Sequence, residues 1–440
     1  MLAHPKRGIK ARLRPAPPSS KHEAAVSTGE INRVIIVGAG QAGGETAQRL
    51  RQGGFAGDVT LIGEETAAPY QRPPLSKAYL SGELPIERLL LRPASVYAEE
   101  RIAFLPGVRA VWIDRANRKV RLEGGRELPY DALVLATGAR PRKLPLAGAD
   151  LDGVHLFRTA ADVDAVRTRF QPGAKLAVIG AGFIGLEVAA VARKAGLDVT
   201  VIEAAVRPLA RVSCPEVAGF FLDEHTRQGV RFVLGGQAAL IKGEQHVTGL
   251  RLTDGAELAT DLVIAGIGVT PEVALAQQCS LPVENGVVTD RQCRTADPHI
   301  FAIGDCAARP MVHYGGRVSR LESVHNAVEG AKIVATAILG QPPHIEEAPW
   351  FWSDQYDLKL QIAGLFHGYD RIVFRGVMAD RAFAAFYYKG EHLIAVDAVN
   401  RPGEYLGAKM LIQQGKTLAP DVIADESRPM KELVAAARKV

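Results

Sequence analysis

A short glycine-rich turn occurs twice in this chain, as GAGQAGGE at 38–45 and as GAGFIGLE at 180–187. Each copy follows a brief apolar run, VIIVG (34–38) or LAVIG (176–180). Each opens a helical pattern, one from about Gln41 to Gln52 and one reaching about Ala195. A second apolar run then closes each unit, VTLIG (59–63) and VTVIE (199–203). Apolar strands alternating with helices form parallel sheets covered on both faces. One strand–helix–strand unit has therefore been written twice, which constrains the fold more than any other feature. Two such turns imply two bound dinucleotides.

The spacing carries the chemistry. In Gly38-x-Gly40-x-x-Gly43 the first glycine permits a tight turn and the second lets a diphosphate approach the backbone. The third lets the helix pack closely against the strand. Unpaired N–H groups at the helix start, here around Gln41 and Ala42, and the positive end of the helix dipole face the phosphates. An acid about twenty residues on bonds the ribose hydroxyls. Glu64 directly follows VTLIG and fits, with Glu65 as its neighbouring alternative. The second copy repeats the pattern with Gly180, Gly182, Phe183, Ile184, Gly185 and then Glu203. Acidic Glu203 repels the extra phosphate of NADPH, and the next arginine is Arg207, so NADH is expected. The turns alone do not say which dinucleotide sits in which copy.

Further strand runs are ALVLATG (132–138), LVIAGIG (262–268) and IFAIGD (300–305). After Pro349 the pattern changes. LKLQIAGL (358–365), RIVFRGVM (371–378), AFAAFYYKG (382–390) and HLIAVDAV (392–399) follow in quick succession, which predicts an antiparallel sheet. A helix from about Gly403 to Gln414 packs on it. The expected fold class is α/β: two Rossmann-like dinucleotide-binding domains and a small α+β C-terminal domain.

Charge decides against nucleic acid. Residues 1–30 carry four of the five net positive charges, which leaves 31–440 nearly neutral and without a basic groove. That first segment holds four prolines and no apolar centre, so it predicts a disordered basic tail and not a secretory signal. No apolar run is long enough to span a bilayer. Cys214, Cys279, Cys293 and Cys306 form no C-x-x-C, which points to a reducing, cytoplasmic setting with no disulfide framework. No His, Cys or Asp grouping has metal-ligand spacing, and His225, His313 and His325 read as packing or surface residues.

PYQRPPLSKAYL (69–80), ATGARPR (136–142), GIGVTPE (266–272), AIGDCA (302–307), ESVHNAVEGAK (322–332) and FWSD (351–354) together resemble the FAD-dependent ferredoxin reductases of bacterial oxygenase systems. Rubredoxin reductases and apoptosis-inducing factor are relatives in the same superfamily. The likeness runs from about 33 to about 430. It implies FAD in a two-segment domain, 31–148 and 274–347, NADH in 149–273, and a C-terminal interface domain over 348–440. It implies FAD contacts from Arg72, Lys77, Ala110, Thr137, Gly138, Arg142, Asp305, Val324 and Trp352, and NADH contacts from Gly266 and Gly268. Plainer roles compete for three of these: Trp352 as core, Arg142 as a solvated charge, Asp305 as a helix cap.

By the same resemblance Lys77 and Glu187 meet near the flavin nitrogen that accepts hydride, and they are the catalytic candidates. No cysteine precedes Cys214, which argues against a dithiol relay. The expected exit is single-electron transfer to a small acidic two-iron, two-sulfur ferredoxin, with rubredoxin as the alternative carrier. Other readings are a monodehydroascorbate or quinone reductase, an NADH oxidase, or a redox-sensing interaction protein like apoptosis-inducing factor. The oligomeric state, monomer or weak dimer, stays open.

Overall fold

The computed structural model describes residues 30–438, so the basic tail read over 1–30 lies outside the described residues except for Glu30. The first unit is a five-stranded sheet in the order Ile300–Ala302, Ala132–Leu135, Arg33–Val37, Asp58–Ile62, Ile102–Leu105. All four pairings are parallel. The central strand is buried at every residue after Arg33, as a strand covered on both faces must be. The helix Gln41–Gln52 covers one face together with the long helix Val324–Ile338, through Ala47, Leu50, Ile333, Val334 and Ile338. Because Ile300–Ala302 pairs with Ala132–Leu135, two segments far apart in sequence complete this sheet.

The second unit repeats the plan. Its sheet runs Val154–Leu156, Leu262–Ala265, Lys175–Ile179, Asp198–Glu203, Arg231–Leu234, again all parallel. Each unit also carries a three-stranded antiparallel meander, at 110–129 and at 238–259. The two units are tied by a short antiparallel pair, Ala139–Pro141 with Val269–Pro271. These are the same turn in each copy, ATGARP and AGIGVTP, so the duplicated halves meet through equivalent segments.

The third unit is a five-stranded antiparallel sheet in the order Trp350–Gln355, Leu358–Gly364, His392–Val399, Ala382–Lys389, Arg371–Val377. Four of its strands follow the sequence pattern. The fifth, Trp350–Gln355, was read only as the motif FWSD, because its adjacent aromatics Trp350, Phe351 and Trp352 hide the period-two alternation. The helices Pro402–Gln413 and Met430–Ala437 cover one face through Leu411, Leu433 and Tyr405. The other face joins an apolar cluster shared with the second unit: Phe383, Tyr387 and Leu358 lie with Val178, Leu186, Val217 and Phe221, and Tyr79 and Leu80 of the first unit reach the same cluster. Three units therefore meet across one dry core, which holds them at fixed angles around the site.

Candidate active site

The two cradles have the same local geometry. Gly38 adopts φ +111° and Gly180 φ +104°, a region that L side chains rarely enter. A Cβ at Gly38 would lie 2.2 Å from the Ala136 carbonyl oxygen, and one at Gly43 1.9 Å from that of Gly38. In the second copy the equivalent distances are 2.6 Å from Gly266 O for Gly180 and 2.0 Å from Gly180 O for Gly185. The middle glycines differ. A Cβ on Gly40 or Gly182 would meet nothing within 4 Å. Each turn is thus closed on its protein side and open on its outer side, with room there for a diphosphate. The Gln41 side-chain oxygen is buried with no hydrogen-bond partner, as is His325 Nε2 near the start of Val324–Ile338. These residues fit a dinucleotide at the first cradle.

The ribose acids diverge. Gly38 N–H donates to Ile62 O and Gly180 N–H to Ile202 O, so the structural counterpart of Glu203 is Gly63, one residue before Glu64. Glu203 accepts from Ala181 N–H at 2.7 Å and Ala205 N–H at 2.8 Å, which locks its carboxylate beside the second turn. Glu64 is half-exposed and pairs with Arg109 at 3.0 Å and Arg140 at 3.5 Å. Glu65 turns inward to Arg72 at 2.6 Å and the Tyr70 hydroxyl at 2.5 Å. The sequence carries the same offset, since Glu203 closes VTVIE whereas Glu64 follows VTLIG.

Lys77 and Glu187 lie together, 2.6 Å from Nζ to Oε2. Lys77 ends the 3-10 turn Pro73–Ser76 of the first unit, and Glu187 sits on the second cradle helix, Phe183–Lys194. Glu187 is buried and also accepts from Ser76 Oγ at 2.5 Å and Ser353 Oγ at 2.6 Å. One carboxylate therefore joins all three units. A lone buried charge is costly, and this one has an ammonium and two hydroxyls.

The remaining candidates fall into place individually. Asp305 pairs with Arg158 at 3.0 Å and does not cap a helix through its side chain. Ser323 caps Val324–Ile338 by accepting from Asn326 N–H at 3.0 Å, which leaves Val324 as the first helical residue. Thr137 Oγ donates to Glu272 O at 2.6 Å, and Gly138 and Gly268 take positive φ at the tie between units. Arg142 is exposed on that tie, its Nε 3.3 Å from Val269 O. Arg158 is the basic residue that the sequence reading missed: a Cβ on Gly138 would lie 3.2 Å from its guanidinium. No motif marks it, and only the fold brings it to Asp305. Ala110 is buried in its meander, paired with Leu122. Trp352 is half-buried on the edge strand, 5.6 Å from Trp350 and 6.4 Å from Phe351 between ring centroids, so it is not plain core. Phe183 packs on Phe351 at 4.8 Å, and Ile184 is exposed. His225 and His325 are buried, whereas His313 is only partly buried.

All four cysteines are free and buried. Burial pushes the Cys214 thiol up to about 11 and the Cys293 thiol up to about 12, so neither is a ready thiolate. No helix among the described residues is long and apolar enough to cross a membrane.

A duplicated dinucleotide fold with a Lys–Glu pair between its halves fits a flavin-type pyridine nucleotide oxidoreductase. The pyridine nucleotide-disulphide oxidoreductase family model matches residues 32–331, and the reductase C-terminal model matches 350–434. Rhodocoxin reductase of Rhodococcus erythropolis is 44% identical over 91% of this chain and 94% of its own. Putidaredoxin reductase of Pseudomonas putida is 44% identical over 92% of this chain and 98% of its own. A chain in the crystal structure of the covalent putidaredoxin reductase–putidaredoxin complex superposes with a TM-score of 0.91 at 43% identity, covering 93% of this chain and 99% of that one. This chain belongs to the pyridine nucleotide-disulphide oxidoreductases, in the branch of the ferredoxin reductases.

Proposed function

We propose that this protein is an FAD-dependent NADH:ferredoxin reductase that supplies electrons to an oxygenase or haem monooxygenase. The observation that carries the reading is the 2.6 Å pair between Lys77 of one cradle unit and Glu187 of the other. FAD, when bound, would accept a hydride from NADH and pass its two electrons on one at a time, the proton going to solvent.

The chain's own residues bind, orient and exclude water. Gly38, Gly40, Gln41, Ala42 and Gly43 receive the FAD diphosphate, with Glu64 or Glu65 toward its ribose. Arg72, Ala110, Thr137, Gly138, Arg142, Asp305 and Trp352 line its length, and Arg158 joins them through Asp305. The capped start of Val324–Ile338 presents the positive end of its dipole to the site. Gly180, Gly182, Phe183, Ile184, Gly185, Glu203, Gly266 and Gly268 receive NADH. Lys77, held by Glu187, orients the nicotinamide carboxamide. FAD thus occupies 31–148 with 274–347, NADH occupies 149–273, and 348–440 forms the carrier-facing unit.

The partner is a small acidic two-iron, two-sulfur ferredoxin, with rubredoxin as the alternative carrier. The half-buried Trp350 and Trp352 lie on an edge strand with Lys409 5.5 Å above the Trp350 ring, its ammonium paired with Glu347 at 2.8 Å. Docking there is transient and salt-sensitive. The buried thiols leave no ready dithiol route, and the setting is reducing and cytoplasmic.

The test is NADH-driven cytochrome c reduction through added ferredoxin, rubredoxin or no carrier. Rapid ferredoxin-dependent turnover that falls with salt supports the reading. Turnover with quinone, monodehydroascorbate or oxygen but with neither carrier overturns it, as does slow flavin reduction with a long-lived charge-transfer complex.

A further inference from the structure

The bonds to Glu187 do not end at Ser353. Ser353 Oγ accepts from Gln355 Nε2 at 3.1 Å, and Gln355 Oε1 lies 2.8 Å from His225 Nε2. His225 Nδ1 lies 3.1 Å from the Tyr356 hydroxyl. Ser353, Gln355 and His225 are all buried, at 0%, 1% and 0% exposure. Tyr356 turns the hairpin at φ 58°, a conformation unusual for a tyrosine, and so brings its phenol to the imidazole.

Proton counting gives this chain a single sense. A carboxylate only accepts, so the one hydroxyl proton of Ser353 goes to Glu187. Ser353 oxygen must then accept, and the Gln355 amide nitrogen donates to it. The amide oxygen therefore faces His225, whose proton must sit on Nε2. Burial holds the His225 imidazole down to about 4, so the ring is neutral with one N–H to place. Its bare Nδ1 accepts from Tyr356. The charge at one end sets the tautomer at the other. Joining the two units does not itself require polar groups, because Phe221, Leu358 and Phe383 already do so in the same cluster.

We infer that Ser353, Gln355 and His225 are positioning residues: a one-way hydrogen-bond chain that clamps the Glu187 carboxylate and, through it, the Lys77 ammonium. This rests on the proposed role of the Lys77–Glu187 pair in hydride transfer. Losing the clamp lets the carboxylate rotate and the ammonium wander, which slows the oriented step while leaving NADH binding to the cradle intact.

The test uses holoenzyme with 15N-labelled histidine rings, the His225 signals being assigned by their absence in His225→Gln. The wild type should show His225 as a single Nε2–H tautomer. Glu187→Gln and Ser353→Ala should each bring in the Nδ1–H form. In stopped flow at saturating NADH, Ser353→Ala should slow flavin reduction by about tenfold, the worth of one hydrogen bond to a charged group, with the NADH dissociation constant changed less than about twofold. Ser353→Thr, which keeps the hydroxyl, should restore the rate to within about twofold of wild type. An unmoved tautomer in both variants, or a wild-type rate in Ser353→Ala, overturns the proposal. A wild-type rate in Lys77→Ala overturns the role of the pair itself, and is told apart because the histidine spectrum still responds to Glu187→Gln.

Discussion

Asp397 is a buried acid without a cation, and its removal should flatten part of the pH dependence of stability. It lies on the strand His392–Val399, 1% exposed, where Oδ2 accepts from Ser213 Oγ and Tyr387 Oη at 2.6 Å each and Oδ1 has no partner. The two hydroxyls favour the carboxylate, but burial outweighs them and pushes the acid up to about 6 from 3.8. The unfolded chain ionises more readily, so this group's share of stability is full below pH 3.8. It is lost as pH rises toward 6 and is flat above that. The whole loss is about 3 kcal/mol, of which roughly 1 kcal/mol falls between pH 5 and pH 7. Asp397→Asn keeps one acceptor oxygen and cannot ionise. Thermal unfolding of both FAD-loaded proteins from pH 5 to pH 7 should therefore show the wild type losing about 1–2 °C relative to the variant as pH rises. Parallel curves would mean that Asp397 is already ionised in the folded protein, and that burial does not dominate its environment.

Three substitutions test the cradles and the missed arginine. Gly40→Val adds a side chain that meets no protein atom within 4 Å, so the variant should fold with wild-type circular dichroism yet stay colourless after reconstitution; a fully yellow protein refutes the diphosphate placement. Glu203→Arg removes the carboxylate held by Ala181 and Ala205 N–H, and should cut the NADH-over-NADPH ratio of kcat/KM by about tenfold or more. An unchanged ratio takes Glu203 away from the ribose. Arg158→Met strips Asp305 of its 3.0 Å partner and should weaken FAD affinity about tenfold, measured by titrating apoprotein. Unaltered affinity would make the pair a local brace with no role in the flavin site.

What the sequence reveals and what it hides divides along contact distance. The cradles are legible because their logic is local: a glycine at positive φ, a helix opening three residues later and a strand on either side are all written within about thirty residues. Lys77 and Glu187 could be paired only through resemblance, since 110 positions separate them and nothing in either segment names the other. Arg158 and the chain from Ser353 to His225 escaped for the same reason: Arg158 has no motif, and FWSD holds Ser353 without naming its partners. The duplication itself then explains why the two acids are offset. Superposing the two copies on their strand registers, Val37 with Ile62 and Ile179 with Ile202, puts Gly63 where Glu203 stands. A Cβ at Gly63 would come 2.7 Å from that of Ala39, so the first copy has no room for a side chain at that position. Its acid had to move one residue along, to Glu64, or two, to Glu65. The halves therefore share one glycine turn but place the acid after the second strand differently. A variant that carries Glu at position 63 should disturb the first turn without improving FAD retention.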